Sequence, residues 1–501
     1  MLLIFFLCFS CTGEQKKKEV VLYETYCASC HLAPAIADLP KHIWEQGILP
    51  EMGARLGIRE NGFNPYKGVN FNEQAEMIKT GIYPSQPMID QNDWTLLKAY
   101  IIAMAPDSLL PSDLLMPPKN LEQFEAFPIT VDEKEGTMFS YLHVDDEHHR
   151  LILGDIASNL LEYNIARDTI IPLARLQTPL VDFSVGKEAS FATVIGSLAP
   201  TALKTGAVIQ LLDGKKRMVS GTMHRPVHTL VQDLNNDGHS ELVVSEFGDL
   251  TGELSLLVRN ENMEYDKRVI LKQAGTLKVI AKDMDHDGAL DLIVSTSQGD
   301  EGITILYQLP ELRFRAEKVI RLSPVYGTSW FELIDYDGDG DDDIVTVNGD
   351  NADESYVHKP YHGVRLFIND GNNNFEQKYF YPINGATRVL ADDFDQDGDV
   401  DFAVLSTFPD YEHRPEQAFV YLENTNENSF EFVPNTFDKV GLGRWFLMDS
   451  GDVDQDGDID IVLSAFSFGF TTVPDDLSQY WKEQKVDLMV LKNKLIEVSE
   501  Q

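Results

Sequence analysis

Two residue patterns in this chain could do chemistry. The first lies in "LYETYCASCHLAP", where Cys27, Cys30 and His31 form a Cys-X-X-Cys-His. That spacing sets two thiols about one helical turn apart, placed to form thioethers with both vinyl groups of a haem while the adjacent imidazole reaches the iron. A thioredoxin-like pair would need a βαβ setting that this segment lacks, and zinc would need a second cysteine pair. The chain has only 4 cysteines, and the other two, Cys8 and Cys11, sit at its amino end, so no disulfide framework is available.

The second pattern occurs five times. "VQDLNNDGHSELVV", "AKDMDHDGALDLIV", "LIDYDGDGDDDIVT", "ADDFDQDGDVDFAV" and "GDVDQDGDIDIVLS" share D-x-[DN]-x-D-G-x-x-[DE], each bracketed by apolar, strand-like residues. Alternate oxygens on a tight loop converge on one point, the glycine permits the turn, and the ninth residue closes the shell around a hard cation. Calcium suits so many protein oxygens better than magnesium. The expected ligands are Asp233, Asn235, Asp237 and Glu241; Asp283, Asp285, Asp287 and Asp291; Asp335, Asp337, Asp339 and Asp343; Asp393, Asp395, Asp397 and Asp401; and Asp452, Asp454, Asp456 and Asp460. An EF-hand would place a bidentate Glu at position twelve, where Val244 and Val294 stand, so strands rather than helices flank these loops. The third loop, "DYDGDGDDDI", is the most acidic. Asp341 and Asp342 add charge outside its four ligands, and it is expected to bind calcium among the most tightly.

Composition sets the frame for both patterns. A length of 501 residues calls for several domain-sized units, or a small domain plus a repeat array. With 41 basic against 81 acidic residues the net charge is -40, which excludes nucleic acid as a partner and favours cations. At 43% hydrophobic and 10% aromatic, the chain is nonetheless a folded one.

The cysteine motif needs helices to hold it. "NDWTLLKAYIIAMAP" puts Trp94, Leu97, Tyr100, Ile101 and Met104 at helical spacing on one face. Together with "LYETYCASCH" and Tyr23 this resembles a small class I cytochrome c, with an opening and a closing helix. The resemblance implies one haem c, bound through Cys27, Cys30 and His31, and a sixth ligand on the loop before the closing helix. Met88 in "YPSQPMID" takes that place, with Met52 in "ILPEMGARLG" as the alternative; Pro34 or Pro40 would orient His31. The proline-rich "PDSLLPSDLLMPPKN" then reads as a connector.

The five acidic loops recur at intervals of 50, 52, 58 and 59 residues, the length of a four-stranded blade. Two further units, "YLHVDDEHHRLILGD" around His143 and "PLVDFSVGKEASFATVIGS" around Asp182, keep the outline without the ligands, which makes seven. "GVRLFINDGNNNFE", "AFVYLENTNENSFE" and "VDLMVLKNKLIEV" read as outer hairpins. The array resembles the FG-GAP or VCBS repeat propellers, to which the integrin α head belongs. The resemblance implies about five calcium ions on one face of the disc and ligand binding on the other. Residues entering the innermost strands would ring the axis on that other face: His228, Lys278, Trp330, Arg388 and Arg444, a candidate funnel for an anionic or sugar-like ligand or a docking partner.

The amino end, "MLLIFFLCFSC", is too short to span a bilayer and reads as an export signal. It resembles a bacterial lipoprotein signal in which Cys11 is lipidated, implying a cell-envelope protein anchored in the outer membrane. The expected organisation is therefore a signal and tether at 1–19, an all-α cytochrome c domain at 20–106, a linker at 107–120 and an all-β seven-bladed β-propeller at 121–498. The expected function is electron transfer to a redox partner protein or quinone-linked chain, with the propeller as a calcium-stabilised recognition platform. Two alternatives differ in class: a propeller oxidoreductase or polysaccharide-processing enzyme passing electrons to its haem, and a surface adhesion or carbohydrate-binding module. The histidine pairs of "HVDDEHHR" and "HKPYHG" form no acid–base set, so an electron carrier, not an enzyme on its own, is the expectation.

Overall fold

Periodicity changes from 3.6 to 2 beyond Pro106, and the architecture changes with it. The structure, a computed structural model, describes residues 16–60, 62–110, 117–131, 138–351, 355, 357–425, 429–467 and 473–496. Cys8 and Cys11 lie outside the described residues, as do 111–116 of the expected linker.

The first part is helical. Helix α1 spans Lys18–Tyr26 and ends at the motif, with Cys27 as its C-cap. A continuous run of Lys41–Ile43, Trp44–Ile48 and α2 (Leu49–Arg55) is π-helical in its middle, where Pro50 has no N–H to give the preceding turn. Helix α3 (Phe71–Thr80) is capped by the Asn70 side chain, and α4 (Gln91–Met104) by Asp90. Leu22 of α1 shares one apolar cluster with Trp94, Leu97 and Ile101 of α4. Gly53 is needed beneath Trp94, because a Cβ there would lie 2.9 Å from the indole. Met104, expected on the same face, is 58% exposed; the buried stripe runs from Ile101 to Ala105 instead, a step of four rather than three.

The second part is a seven-bladed β-propeller. Among the described residues, its seven sheets are each built on four antiparallel strands. The two weak units are blades 1 and 2, whose innermost strands are Phe139–Asp145 and Leu180–Val185. Blades 3 to 7 begin at Pro226–Gln232, Thr276–Lys282, Thr328–Ile334, Ala386–Asp392 and Trp445–Gly451. In those five blades the second strand is buried at every residue, from Glu241–Glu246 to Asp460–Ala465. Flanked on both faces by neighbouring blades, each opens on Asp or Glu and continues through apolar residues, such as Leu242, Val243 and Val244.

The ring closes by exchange of ends. Phe124–Ile129 pairs with Leu488–Asn493, so the first long strand of the propeller completes the last blade. Lys119 and Asn120, within the expected linker, pair in parallel with Asn435 and Thr436 and give blade 6 a fifth strand. Helix α5 (Asp475–Gln484) enters between the second and third strands of blade 7, and its Trp481 Nε1 donates to the Gly441 carbonyl at 3.0 Å.

The helical part sits on the face away from the acidic loops. Tyr361 Oη donates to the Asp38 carbonyl at 2.7 Å, and Val325 belongs to the same apolar cluster as Trp94. Glu73 Oε1 accepts from Thr201 Oγ1 and, at 3.0 Å, from the Ala202 N–H. These partners belong to blade connections running from blade 2 to blade 5.

Closure makes Phe124 a test of the ring. It is buried and meets Phe394 and Tyr421 edge-on at 6.3 and 5.7 Å. Phe124→Ala is expected to cost about 3–5 kcal/mol, read as a fall in the urea midpoint with an unchanged slope.

Candidate functional site

All five acidic loops join the first and second strands of their blades, and they share one backbone. The sixth-position glycines, Gly238, Gly288, Gly340, Gly398 and Gly457, have φ between 90° and 99°. That region favours glycine, and the fourth position is left-handed too, at Asn236, His286, Gly338, Gln396 and Gln455. The two reversals fold the loop over the first acid. Asp233 Oδ2 accepts from the Gly238 N–H at 2.9 Å, Asp283 Oδ2 from Gly288 at 2.9 Å, and Asp393 Oδ2 from Gly398 at 3.1 Å.

Carboxylates converge as a result. Asp283, Asp285 and Asp291 bring ligand oxygens within 4.8 Å of one another, as do Asp335, Asp337 and Asp339; Asp393, Asp395 and Asp397; and Asp452, Asp454 and Asp460. In the first loop Asn235 replaces an acid, and its Nδ2 donates to Asp237 Oδ2 at 3.0 Å. Asp287, Asp343, Asp401 and Asp456 stand outside the closest triplets. Asp341 and Asp342, expected outside the shell, face blade 4: Asp342 pairs with Lys282 at 2.9 Å and Asp341 with His286 at 3.5 Å.

The ninth-position acids have a second role that spacing did not reveal. Each begins a buried strand and takes backbone N–H groups on its oxygens. Asp291 accepts from Met284 at 3.0 Å and Gln308 at 2.7 Å, Asp343 from Tyr336 at 3.0 Å and Asn369 at 2.7 Å, and Asp460 from Val453 at 3.1 Å and Asn493 at 2.8 Å. Asp401 accepts from Asn424 at 2.8 Å and from the Tyr421 hydroxyl. These bonds tie loop, second strand and third strand into one unit.

The electrostatics fit a cation. Burial first, and then neighbouring acids, push Asp343 up to about 6, Asp460 to about 7 and Asp401 to about 8. Asp337 Oδ1 and Asp454 Oδ1 are buried with no hydrogen-bond donor. Such oxygens are costly unless a donor or a metal meets them.

At the axis the structure corrects one residue. His228, Trp330 and Arg388 lie opposite Ser245, Val347 and Leu405, and the residue with the same register in blade 7 is Leu447, opposite Ser464. Arg444 lies outside the ring, buried with its guanidinium 5.6 Å from the Phe408 ring centroid. Residue type points to Arg444, but strand register gives the place to Leu447. Lys278 and Arg388 flank the Trp330 indole at 4.3 and 4.4 Å, and Lys278 is paired with Glu332 at 2.8 Å. Burial pushes His228 down to about 3, so it is neutral. Blades 1 and 2 put Tyr141 and Asp182 at this level, opposite Gly154 and Thr193. The ring is therefore less electropositive than its basic members imply.

The cysteine motif lies at the end of α1. Cys27 and Cys30 are free thiols; Cys30 is exposed, and burial pushes the Cys27 thiol up to about 12. His31 Nδ1 donates to the Leu32 carbonyl at 2.9 Å, which leaves Nε2 as the ligating nitrogen. Neither Pro34 nor Pro40 takes that bond; the Pro34 carbonyl accepts from Tyr23 Oη. Met52 and Met88 prove to be neighbours of one residue: Leu56 donates its N–H to the Met52 carbonyl at 3.0 Å and accepts from the Met88 N–H at 2.8 Å. Met88 is exposed and Met52 half-buried.

Comparison with known proteins agrees with the repeat. Residues 283–346 match the family described as FG-GAP-like repeat. No curated protein matches the chain. Among solved structures, the β-propeller domain of Cps50 (Swd1) from Myceliophteria thermophila is 10% identical, with a TM-score of 0.42 over 67% of this chain and 96% of that one. Regucalcin from Agrobacterium tumefaciens, described as a calcium-binding protein, is 9% identical, with a TM-score of 0.38 over 64% of this chain and 98% of that one. The chain is thus a seven-bladed propeller protein carrying an FG-GAP-like repeat behind a small helical part.

The raised acids give a pH dependence with a definite sign. Their folded values lie above the ordinary carboxylate value, so in metal-stripped protein their stabilising contribution is complete below about pH 4 and is lost as pH rises through roughly 6 to 8. Stripped protein is expected to melt several degrees higher at pH 5 than at pH 8. Calcium, which requires the ionised acids, is expected to reverse that order in scanning calorimetry.

Proposed function

We propose that this chain is an exported, membrane-anchored c-type cytochrome that transfers electrons, with a calcium-stabilised propeller as its docking platform. The observation that carries the reading is the Cys-X-X-Cys-His closing α1, with α4 packed against that helix and His31 Nδ1 held by a backbone carbonyl. Haem, when bound, supplies a one-electron couple. Cys27 and Cys30 would anchor it, and His31 would present Nε2 to the iron. Met88 is favoured as the sixth ligand because its exposed side chain follows a backbone pinned to Leu56, whereas Met52 is held within α2. Exposed Leu32, beside His31, and Met88 offer apolar surface for a porphyrin to cover.

The calcium reading is supported by four carboxylate triplets and by the two buried, donorless oxygens of Asp337 and Asp454. The docking reading is supported by placement. The helical part shares the propeller face opposite the acidic loops with the channel end nearest His228, Lys278, Trp330 and Arg388, so a partner or anionic ligand bound there lies beside it. Cys11 supplies the proposed lipid anchor at a bacterial envelope.

Visible spectra of the purified protein, oxidised and reduced, test the haem assignment. Wild type is expected to show a low-spin c-type spectrum with a near-infrared Met–iron band, Met88→Ala to lose that band and Met52→Ala to keep it. Retention of the band in both variants overturns both methionine assignments, and absence of any haem spectrum from wild type matured with a c-type assembly system overturns the function.

A further inference from the structure

The calcium-binding loops, on the reading above, are not independent. Each loop's second residue sits between two ligands, and in four of the five its carbonyl or side chain is held by an amide from the next blade. With each loop numbered by its blade, Gln308 of blade 4 donates Nε2 to the Leu234 carbonyl of loop 3 at 3.1 Å. Asn373 of blade 5 donates to the Met284 carbonyl of loop 4 at 2.7 Å, Asn424 of blade 6 to Tyr336 Oη of loop 5 at 3.2 Å, and Asn493 of blade 7 to the Phe394 carbonyl of loop 6 at 2.8 Å.

The same residues grip the ninth acid of their own blade. Gln308, Asn424 and Asn493 give their backbone N–H to Asp291, Asp401 and Asp460, at 2.7 to 2.8 Å. In blade 5 the duty is shared: Asn373 donates its N–H to Asn369 Oδ1 at 2.9 Å, and the Asn369 N–H bonds Asp343 at 2.7 Å. The second residue of a loop closes the circuit in blades 4, 5 and 7, where Met284, Tyr336 and Val453 donate to Asp291, Asp343 and Asp460. A path thus runs through all five loops, closed by hydrogen bonds in blades 3, 4, 5 and 7 and carried in blade 6 along the loop backbone from Phe394 to Asp401, with Asn424 and Asn493 almost fully buried along it. Among the described residues no amide carries it from Val453 into blade 1, where the ligand pattern is also missing.

We propose that Gln308, Asn373, Asn424 and Asn493 are positioning residues that couple neighbouring calcium loops, so that the five sites fill cooperatively. An ion that orders one loop fixes its second residue. That residue orients the amide of the next blade, and the amide's own backbone holds the acid that must close the next site. The coupling is reciprocal, since each contact stabilises both of the loops it joins. A buried amide deprived of its partner also loses more than one at the surface, so the relay is set against half-ordered states.

Native mass spectrometry of the full chain, given calcium at half the number of sites, tests this directly. Molecules with no calcium and molecules with five are expected to dominate, with the middle of the distribution sparse. A binomial spread centred on two or three ions overturns the coupling while leaving calcium binding intact, whereas no bound calcium at any concentration overturns the calcium reading itself. Gln308→Leu is expected to release loop 3 from the rest, adding populations with one and four ions, and Tyr336→Phe, which keeps the ring in its core, to split two loops from three. Wild-type distributions in both variants would also overturn the relay.

Discussion

Each of the five acidic blades buries a carboxylate where its second strand begins. That strand lies between neighbouring blades, so the ion enters a medium that penalises its charge, and the structure answers with backbone N–H groups, from two directions in blades 4, 5 and 7. Blade geometry follows from this. In blades 4, 5 and 7 the acid holds the turn of its own loop on one oxygen and the third strand on the other, so the loop cannot move without the sheet. Donors alone leave these acids with raised affinity for protons, and on the proposed calcium reading a dication would remove the remaining penalty.

The same constraint organises the molecule at larger scale. Because the acidic loops take one face of the disc, the helical part is left the other, and it rests there on blade connections rather than on strands. The axis between the faces is mixed in character. Arg388 and Lys278 bracket Trp330 on one side, while Asp182, pushed up to about 7 by burial, stands in blade 2 at the same register. A seven-fold ring of inner strands brings these residues to one level although they are far apart in sequence.

Much of the acidic site was legible in advance. A first acid, a turn glycine and a ninth acid are all local features, and their spacing alone set the expected ligands on the turn between first and second strands and at the first residue of the second. The double role of the ninth acid was not legible, because its second set of donors comes from the third strand, tens of residues away in the case of Asn369 and Asn493. The funnel failed at Arg444 for a related reason: residue type suggested a match, and strand register assigned the place to Leu447. Met104 failed through a single step of helical phase.

By itself the sequence determined what short-range chemistry can write: helical against alternating periodicity, five ligand loops at blade-length intervals, and a thiol–thiol–imidazole cluster at a helix end. Tertiary structure alone decided which ends meet. Phe124–Ile129 completes the blade begun by Trp445–Gly451, the amides of one blade reach the loop of the one before, and the Leu56 carbonyl takes the Met88 N–H. Those contacts pair residues whose partners carry no local signature. A backbone carbonyl or N–H looks the same at every position until the fold brings a donor or acceptor to it.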